Sequence, residues 1–138
     1  MKKKIANWGN YPIKDSDDRV FTFETELKNT ISEFTRFIPR GNGRCYGDAS
    51  LSDETITTTL FNKVLSFDTE LGIFECQSGI TLDQVLEIIV PKGWFLPVTP
   101  GTKFITIGGA IASDVHGKNH HIDGCFSQHV KEMDLLIP

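Results

Sequence analysis

Two short stretches hold most of the residues able to do chemistry. The first is Arg40-Gly41-Asn42-Gly43-Arg44-Cys45-Tyr46-Gly47-Asp48, followed by Ala49. Closely spaced glycines let successive backbone N–H groups point into one concavity, and two arginines add positive charge, so a phosphate or pyrophosphate is a natural guest. The same residues also fit a tight turn with two solvated arginines. The second stretch sets Gly101, Thr106, Ile107, Gly108 and Gly109 ahead of Ser113-Asp114-Val115-His116-Gly117-Lys118-Asn119-His120-His121. Small apolar residues beside hydroxyls, a histidine and a lysine suit a flat ring system that needs close backbone contact and a few polar donors. A glycine-packed helix leading into a polar loop is the plainer alternative.

Better-known phosphate motifs do not fit. A dinucleotide GxGxxG fingerprint needs glycine where Tyr46 stands, with a helix directly after it, and Asp48 to Asp53 is turn-like instead. Gly117-Lys118 lacks a glycine five residues earlier and is followed by Asn119, so it is not a P-loop. All four histidines and Cys125 fall between 116 and 129, which invites a zinc reading with His116 and His120 on one helix face. Gly117 weakens that helix, and no glutamate stands between the two histidines as a metalloprotease needs, so no metal is assigned. Cys45, Cys76 and Cys125 form no CxxC pair and read as reduced thiols of a cytosolic-type protein.

The elements that must position these stretches follow from pattern. Residues 5–18 are polar and mixed and read as a loop or arm; 19–23 are β-rich. Leu27, Ile31 and Phe34 lie at helical spacing. Phe37-Ile38-Pro39 gives a short strand opening onto the glycine loop, and the threonine-rich 54–60 a second strand. Residues 64–68 and 73–77 form a hairpin about the turn 69–72. Thr81 with Gln84 three residues on is a capping box for a helix carrying Leu82, Val85, Leu86 and Ile89, stopped by Pro91 and Gly93. Residues 108–112 can form a closely packed helix, and 130–138 look like the start of a strand. The mixture predicts an α+β fold.

A length of 138 residues suits one domain, and 39% hydrophobic with 23% charged residues supports a soluble globular core. A net charge of -4 argues against a nucleic-acid partner. No signal peptide or transmembrane segment is apparent.

The glycine loop at 40–48, Gly79-Ile-Thr-Leu-Asp-Gln84, Pro97-Val-Thr-Pro-Gly-Thr102 and, above all, Thr106 to His121 resemble the FAD-linked oxidases of the vanillyl-alcohol oxidase type. The resemblance reaches to Leu136 and is strongest to the branch acting on polyprenylphosphoryl-ribose. It implies a PCMH-type FAD-binding domain: a small α/β subdomain and the start of a second, mixed-sheet subdomain. The implied division is an arm at 1–18 and the N-terminal part of the FAD domain at 19–138, with the substrate domain further downstream. It further implies that residues 40–49 wrap the FAD pyrophosphate, that Gly101, Thr106 to Gly109 and Ser113 to His116 line the cofactor, and that His116, Lys118 and Tyr46 face the substrate. Many relatives attach FAD covalently to a histidine where this chain has Arg44, so the implied FAD is non-covalent. The implied reaction is oxidation of a sugar secondary alcohol to a ketone by hydride transfer to flavin. The substrate is a small-molecule or lipid-linked sugar, with a partner reductase and a cytoplasmic, in the full-length protein membrane-peripheral, setting. An alditol or aldonolactone oxidase is the alternative, and a non-enzymatic nucleotide- or zinc-binding module is the alternative of another class.

Overall fold

The computed structural model describes residues 2–137. A four-stranded sheet has the order β1-β2-β4-β3, formed by Lys3–Ala6 (β1), Ile13–Val20 (β2), Ile38–Arg40 (β3) and Glu54–Thr57 (β4). β1 and β2 run antiparallel, while β2, β4 and β3 run parallel. From β2 the chain passes through helix α1 (Glu24–Glu33) to the edge strand β3, and the glycine loop then carries it back to the interior strand β4.

The polar segment 5–18 is therefore not all loop: it holds the end of β1, a turn at 7–12 and most of β2. Its polarity has an internal partner. Ser16 and Thr55 are fully buried, with their hydroxyls 2.9 Å apart, and the Asp18 carboxylate accepts from Thr55 at 2.9 Å and Thr57 at 2.6 Å. Lys3 reaches the same carboxylate at 3.5 Å. Buried polar groups are tolerated where they satisfy one another, and here the matching runs strand to strand.

Helix α1 forms where the spacing of Leu27, Ile31 and Phe34 places it, and buries no residue fully. Phe23 cannot cap it through its side chain, but the Glu26 carboxylate accepts from the N–H groups of Thr22 and Phe23. Those bonds hold Glu26 below its usual pKa, so its contribution to stability is present above the ordinary carboxylate range and is lost as pH falls through the lowered value.

The second half is built on a hairpin, β5 (Val64–Asp68) and β6 (Ile73–Cys76), and on helix α2 (Leu82–Ile89). Gln84 N–H donates to Thr81 Oγ1 at 3.3 Å and Gln84 Oε1 accepts from Thr81 N–H at 2.9 Å, which is the expected capping box. A 3-10 turn at Val90–Lys92 and Gly93, with φ 82°, end the helix. Val85 and Ile89 pack with Ile80 against Phe67, Phe74 and Trp94, whereas Leu82 joins Val98, Ala110 and Phe126. Helix α3 (Ile107–Ala112) closes this core, its Ile107 touching both clusters. A short helix α4 (His120–Asp123) and a 3-10 turn at Phe126–His129 follow. Residues 130–137 form no strand. Met133, Leu135 and Ile137 are 60–73% exposed, and a strand takes shape only against an edge that pairs with it.

Burial, with Glu75 beside it, pushes the Cys76 thiol up to about 11. Cys76 should therefore resist iodoacetamide at pH 8 in the folded chain and react on unfolding, as peptide mapping would show; rapid native labelling would contradict this environment. Thr55→Val keeps the shape of the side chain but removes the hydroxyl between Ser16 and Asp18. It should lower stability by about 1–3 kcal/mol, read as a lower urea midpoint at unchanged slope; an unchanged midpoint would show that the polar ladder contributes nothing.

Candidate functional site

The glycine loop leaves the carboxyl end of β3, which is where parallel sheets characteristically place ligands. Gly43 and Gly47 have φ values of 60° and 57°. A side chain at either would be strained, and left-handed residues set among ordinary backbone are the kind of conformation that lets successive N–H groups converge on an anion. Among the described residues, none of the N–H groups from Gly41 to Gly47 has a protein acceptor. A row of unspent donors in an ordered loop fits an anionic group bearing several oxygens.

The two arginines do different things. Arg40 turns inward: its guanidinium donates to Asn7 Oδ1, to Ser50 O and Oγ at 3.2 and 2.9 Å, and to Ala6 O at 2.7 Å. Burial lowers its pKa, while Asp18 and then Cys45 oppose the shift. It is a brace for the loop. Arg44 lies over the Trp8 ring at 5.5 Å, held by a cation–π contact at the exposed surface. Cys45 Sγ sits 3.2 Å from Ser50 Oγ. Tyr46 is 80% exposed, and Asp48 and Ala49 are exposed beside it.

The structure brings the first stretch against the second. Asn42 Nδ2 donates to Phe104 O at 2.9 Å, and Gly41 packs so tightly on Thr106 that a Cβ there would collide with the threonine hydroxyl. Thr106, 2% exposed, caps α3 by accepting from Gly109 N–H at 3.1 Å. Ile107 N–H donates to Ile80 O and Gly108 N–H to Ser78 O, each at 2.8 Å. The N–H groups of residues 107–109 are therefore spent within a close-packed surface; a Cβ at Gly108 would come within 3.0 Å of the Ser78 Cβ. Gly101 lies exposed in a bend with open space around it.

Past α3, Asp114 adopts φ 40° and accepts Ser127 N–H at 2.9 Å, which holds the 113–116 turn to the segment after α4. Val115 O accepts Phe126 N–H at 2.9 Å, and His116 forms an isolated antiparallel bridge with Cys125. Ser113, His116 and Lys118 are exposed. His116 is not on a helix with His120, because α4 begins at His120; their rings still approach to 5.1 Å around the turn at buried Gly117. Among the described residues, no three His, Cys, Asp or Glu side chains are placed to hold a metal ion. No hydrogen bond or ring contact joins Tyr46 to His116 or Lys118, so the three share a surface-exposed setting without forming one network.

Two features escape a reading of the sequence. A cleft of about 310 Å³ opens between Lys3–Ala6, Asp18, Arg40–Asn42, Thr57 and Thr59, beside the start of the loop. Asn7, 3% exposed, bonds to both ends of the loop. Neither belongs to a local motif; both follow from the pairing of β1 with β2. No helix among the described residues is long and apolar enough to cross a membrane.

Known proteins share this arrangement. The chain is 41% identical over 101 residues to the decaprenylphosphoryl-beta-D-ribose oxidase of Mycolicibacterium smegmatis, covering 72% of this chain and 22% of that protein. It is 28% identical over 133 residues to L-gulonolactone oxidase 3 of Arabidopsis thaliana, covering 93% of this chain and 22% of that one. It thus spans about a fifth of the length of these relatives. Among solved structures, cholesterol oxidase from B. sterolicum superposes with a TM-score of 0.71 at 13% identity, over 85% of this chain and 24% of the other. An alkyldihydroxyacetonephosphate synthase superposes with a TM-score of 0.69 at 21% identity, over 83% and 24%. These two share the fold. A sequence model described as the FAD binding domain matches residues 24–138, which takes in the glycine loop, Thr106 and the 113–116 turn, and the chain belongs to that family.

Proposed function

We propose that the chain binds FAD without a covalent link, its pyrophosphate against the N–H groups of residues 41–47, and forms the N-terminal part of an enzyme that oxidises a sugar secondary alcohol to a ketone. The observation that carries this reading is the unspent donor row of a loop otherwise fixed to its surroundings, in a chain of the FAD binding domain family. Bound FAD would supply the hydride acceptor. Residues 41–47 would take the diphosphate charge, with Arg44 adding a cation beside it. Thr106, Gly108 and Gly109 would let the cofactor approach the backbone, while Gly101 and residues 113–116 would line its remaining length. Tyr46, His116 and Lys118, all exposed, would orient the substrate hydroxyl or steady developing negative charge. A guanidinium at 44 offers no imidazole nitrogen for attachment to the flavin.

The 41% identity to the ribose oxidase favours a polyprenyl-phosphate-linked ribose as substrate, with a reductase as partner and a peripheral place at the cytoplasmic face of a membrane. The similarity to L-gulonolactone oxidase 3 over 93% of the chain supports an aldonolactone as the second reading. Bleaching of the flavin of the longer polypeptide by one sugar class and not the other would decide between them.

FAD at a hundred times its Kd should stabilise the chain by about 2.7 kcal/mol, a rise in Tm on the order of 10 °C for a domain of this size. Acid precipitation should leave the flavin in the supernatant. Bound zinc with no response to FAD would overturn the reading, and flavin retained in the precipitate would overturn the non-covalent link. Gly43→Ala puts a Cβ into the braced Arg40 guanidinium at a left-handed position, at a cost of about 1–2 kcal/mol. It should weaken FAD binding at least about ten-fold; unaltered binding by calorimetry would remove Gly43 from the site.

A further inference from the structure

Asn7 lies N-terminal to the segment matched by the family and makes no part of the glycine motif. Its carboxamide nevertheless closes a clasp on the loop. Oδ1 accepts from the Arg40 guanidinium and from Ser50 Oγ at 2.8 Å, while Nδ2 donates to Gly47 O at 3.1 Å. Its neighbour adds a second tie, Trp8 N–H donating to Cys45 O at 3.2 Å. Both ties take carbonyl oxygens. In a planar trans peptide the N–H of the next residue points opposite to the carbonyl. Drawing Cys45 O and Gly47 O onto the hairpin therefore sends the N–H groups of Tyr46 and Asp48 away from it.

We propose that Asn7 is a positioning residue for the cofactor loop: by holding Gly47 O while anchoring Arg40, it fixes the side on which the loop presents its donors to a diphosphate. This rests on the reading of residues 41–47 as the FAD pyrophosphate site. Asn7 touches no cofactor atom itself and acts through the loop.

Asn7→Asp separates the two halves of the clasp. The carboxylate still accepts from Arg40 and Ser50, but it cannot donate to Gly47 O and sets an oxygen against it, so the FAD-free chain should melt between the parent and Asn7→Ala. FAD affinity should fall about ten-fold, the worth of one hydrogen bond in an enclosed site. Asn7→Ala loses both halves and should lower both the melting temperature and the affinity. Where Asn7→Asp does not fold, Asn7→Ser serves in its place. Amide NMR with inorganic pyrophosphate gives a readout that stability alone does not move. In the parent chain, shifts should concentrate at residues 41–48; in Asn7→Asp the same extent of shift there should need about ten times more pyrophosphate, while the β5–β6 amides keep their positions. If the parent chain binds neither FAD nor pyrophosphate, the FAD reading itself fails. If it binds both and Asn7→Asp binds them equally well with the same shifts at 41–48, only the role of Asn7 is overturned.

Discussion

A loop that presents its N–H groups to a ligand cannot use them to hold itself in shape. Residues 41–47 spend no backbone donor among the described residues, so their conformation is set through carbonyls, side chains and neighbours. Arg40 braces the start of the loop from within, Asn7 and Trp8 take its carbonyls, and Asn42 and Gly41 seat it against Phe104 and Thr106. The half-buried Arg40 guanidinium meets only neutral acceptors, for which it is a fork of donors.

The second half of the chain meets a complementary constraint, the close approach of backbones. Gly79 sits where any Cβ would strike Thr58 O and Phe61 O, and its N–H donates to Phe61 O at 2.7 Å. Three residues later the chain begins α2, and its N-cap Thr81 bridges to Thr106 at the start of α3. Sheet, α2 and α3 thus converge within a few residues of Gly41. The first three N–H groups of α3 are satisfied by Ile80, Ser78 and Thr106, so α3 acts as a wall while the loop acts as the donor. A reading of the glycine pairs as equivalent phosphate contacts does not distinguish these roles; where the donors go does.

Features governed by neighbours in sequence are legible in it: the β5–β6 hairpin about its turn, the Thr81–Gln84 box, and the glycine loop after a short strand. Features governed by distant partners were not. β2, with the sequence IKDSDDRV, has no apolar face to betray a strand, because its buried positions Ser16 and Asp18 are matched by Thr55 and Thr57 some forty residues on. With β1 and β2 read as an arm, nothing in the sequence lays the turn between them, which carries Asn7, against the glycine loop. The opposite error occurs at 130–137, where apolar composition alone suggested a strand that finds no edge to pair with among the described residues.

Charge is consistent with this division. The net charge of -4 opposes a diphosphate at long range, and Lys14, Arg19, Lys28 and Lys103 are each matched to a carboxylate at the surface, where such pairs contribute little. Arg44 is matched to the Trp8 ring instead, which leaves its hydrogen-bond donors unspent. Fixed backbone dipoles of a glycine loop act at short range, and neither titrate nor depend on the sign of the whole molecule. A net-charge criterion excludes partners that read an extended basic face, as nucleic acids do, but does not bear on a ligand held by a few amides. What such a ligand requires is that the amides face one way, and in this chain that requirement is met by residues outside the motif that supplies them.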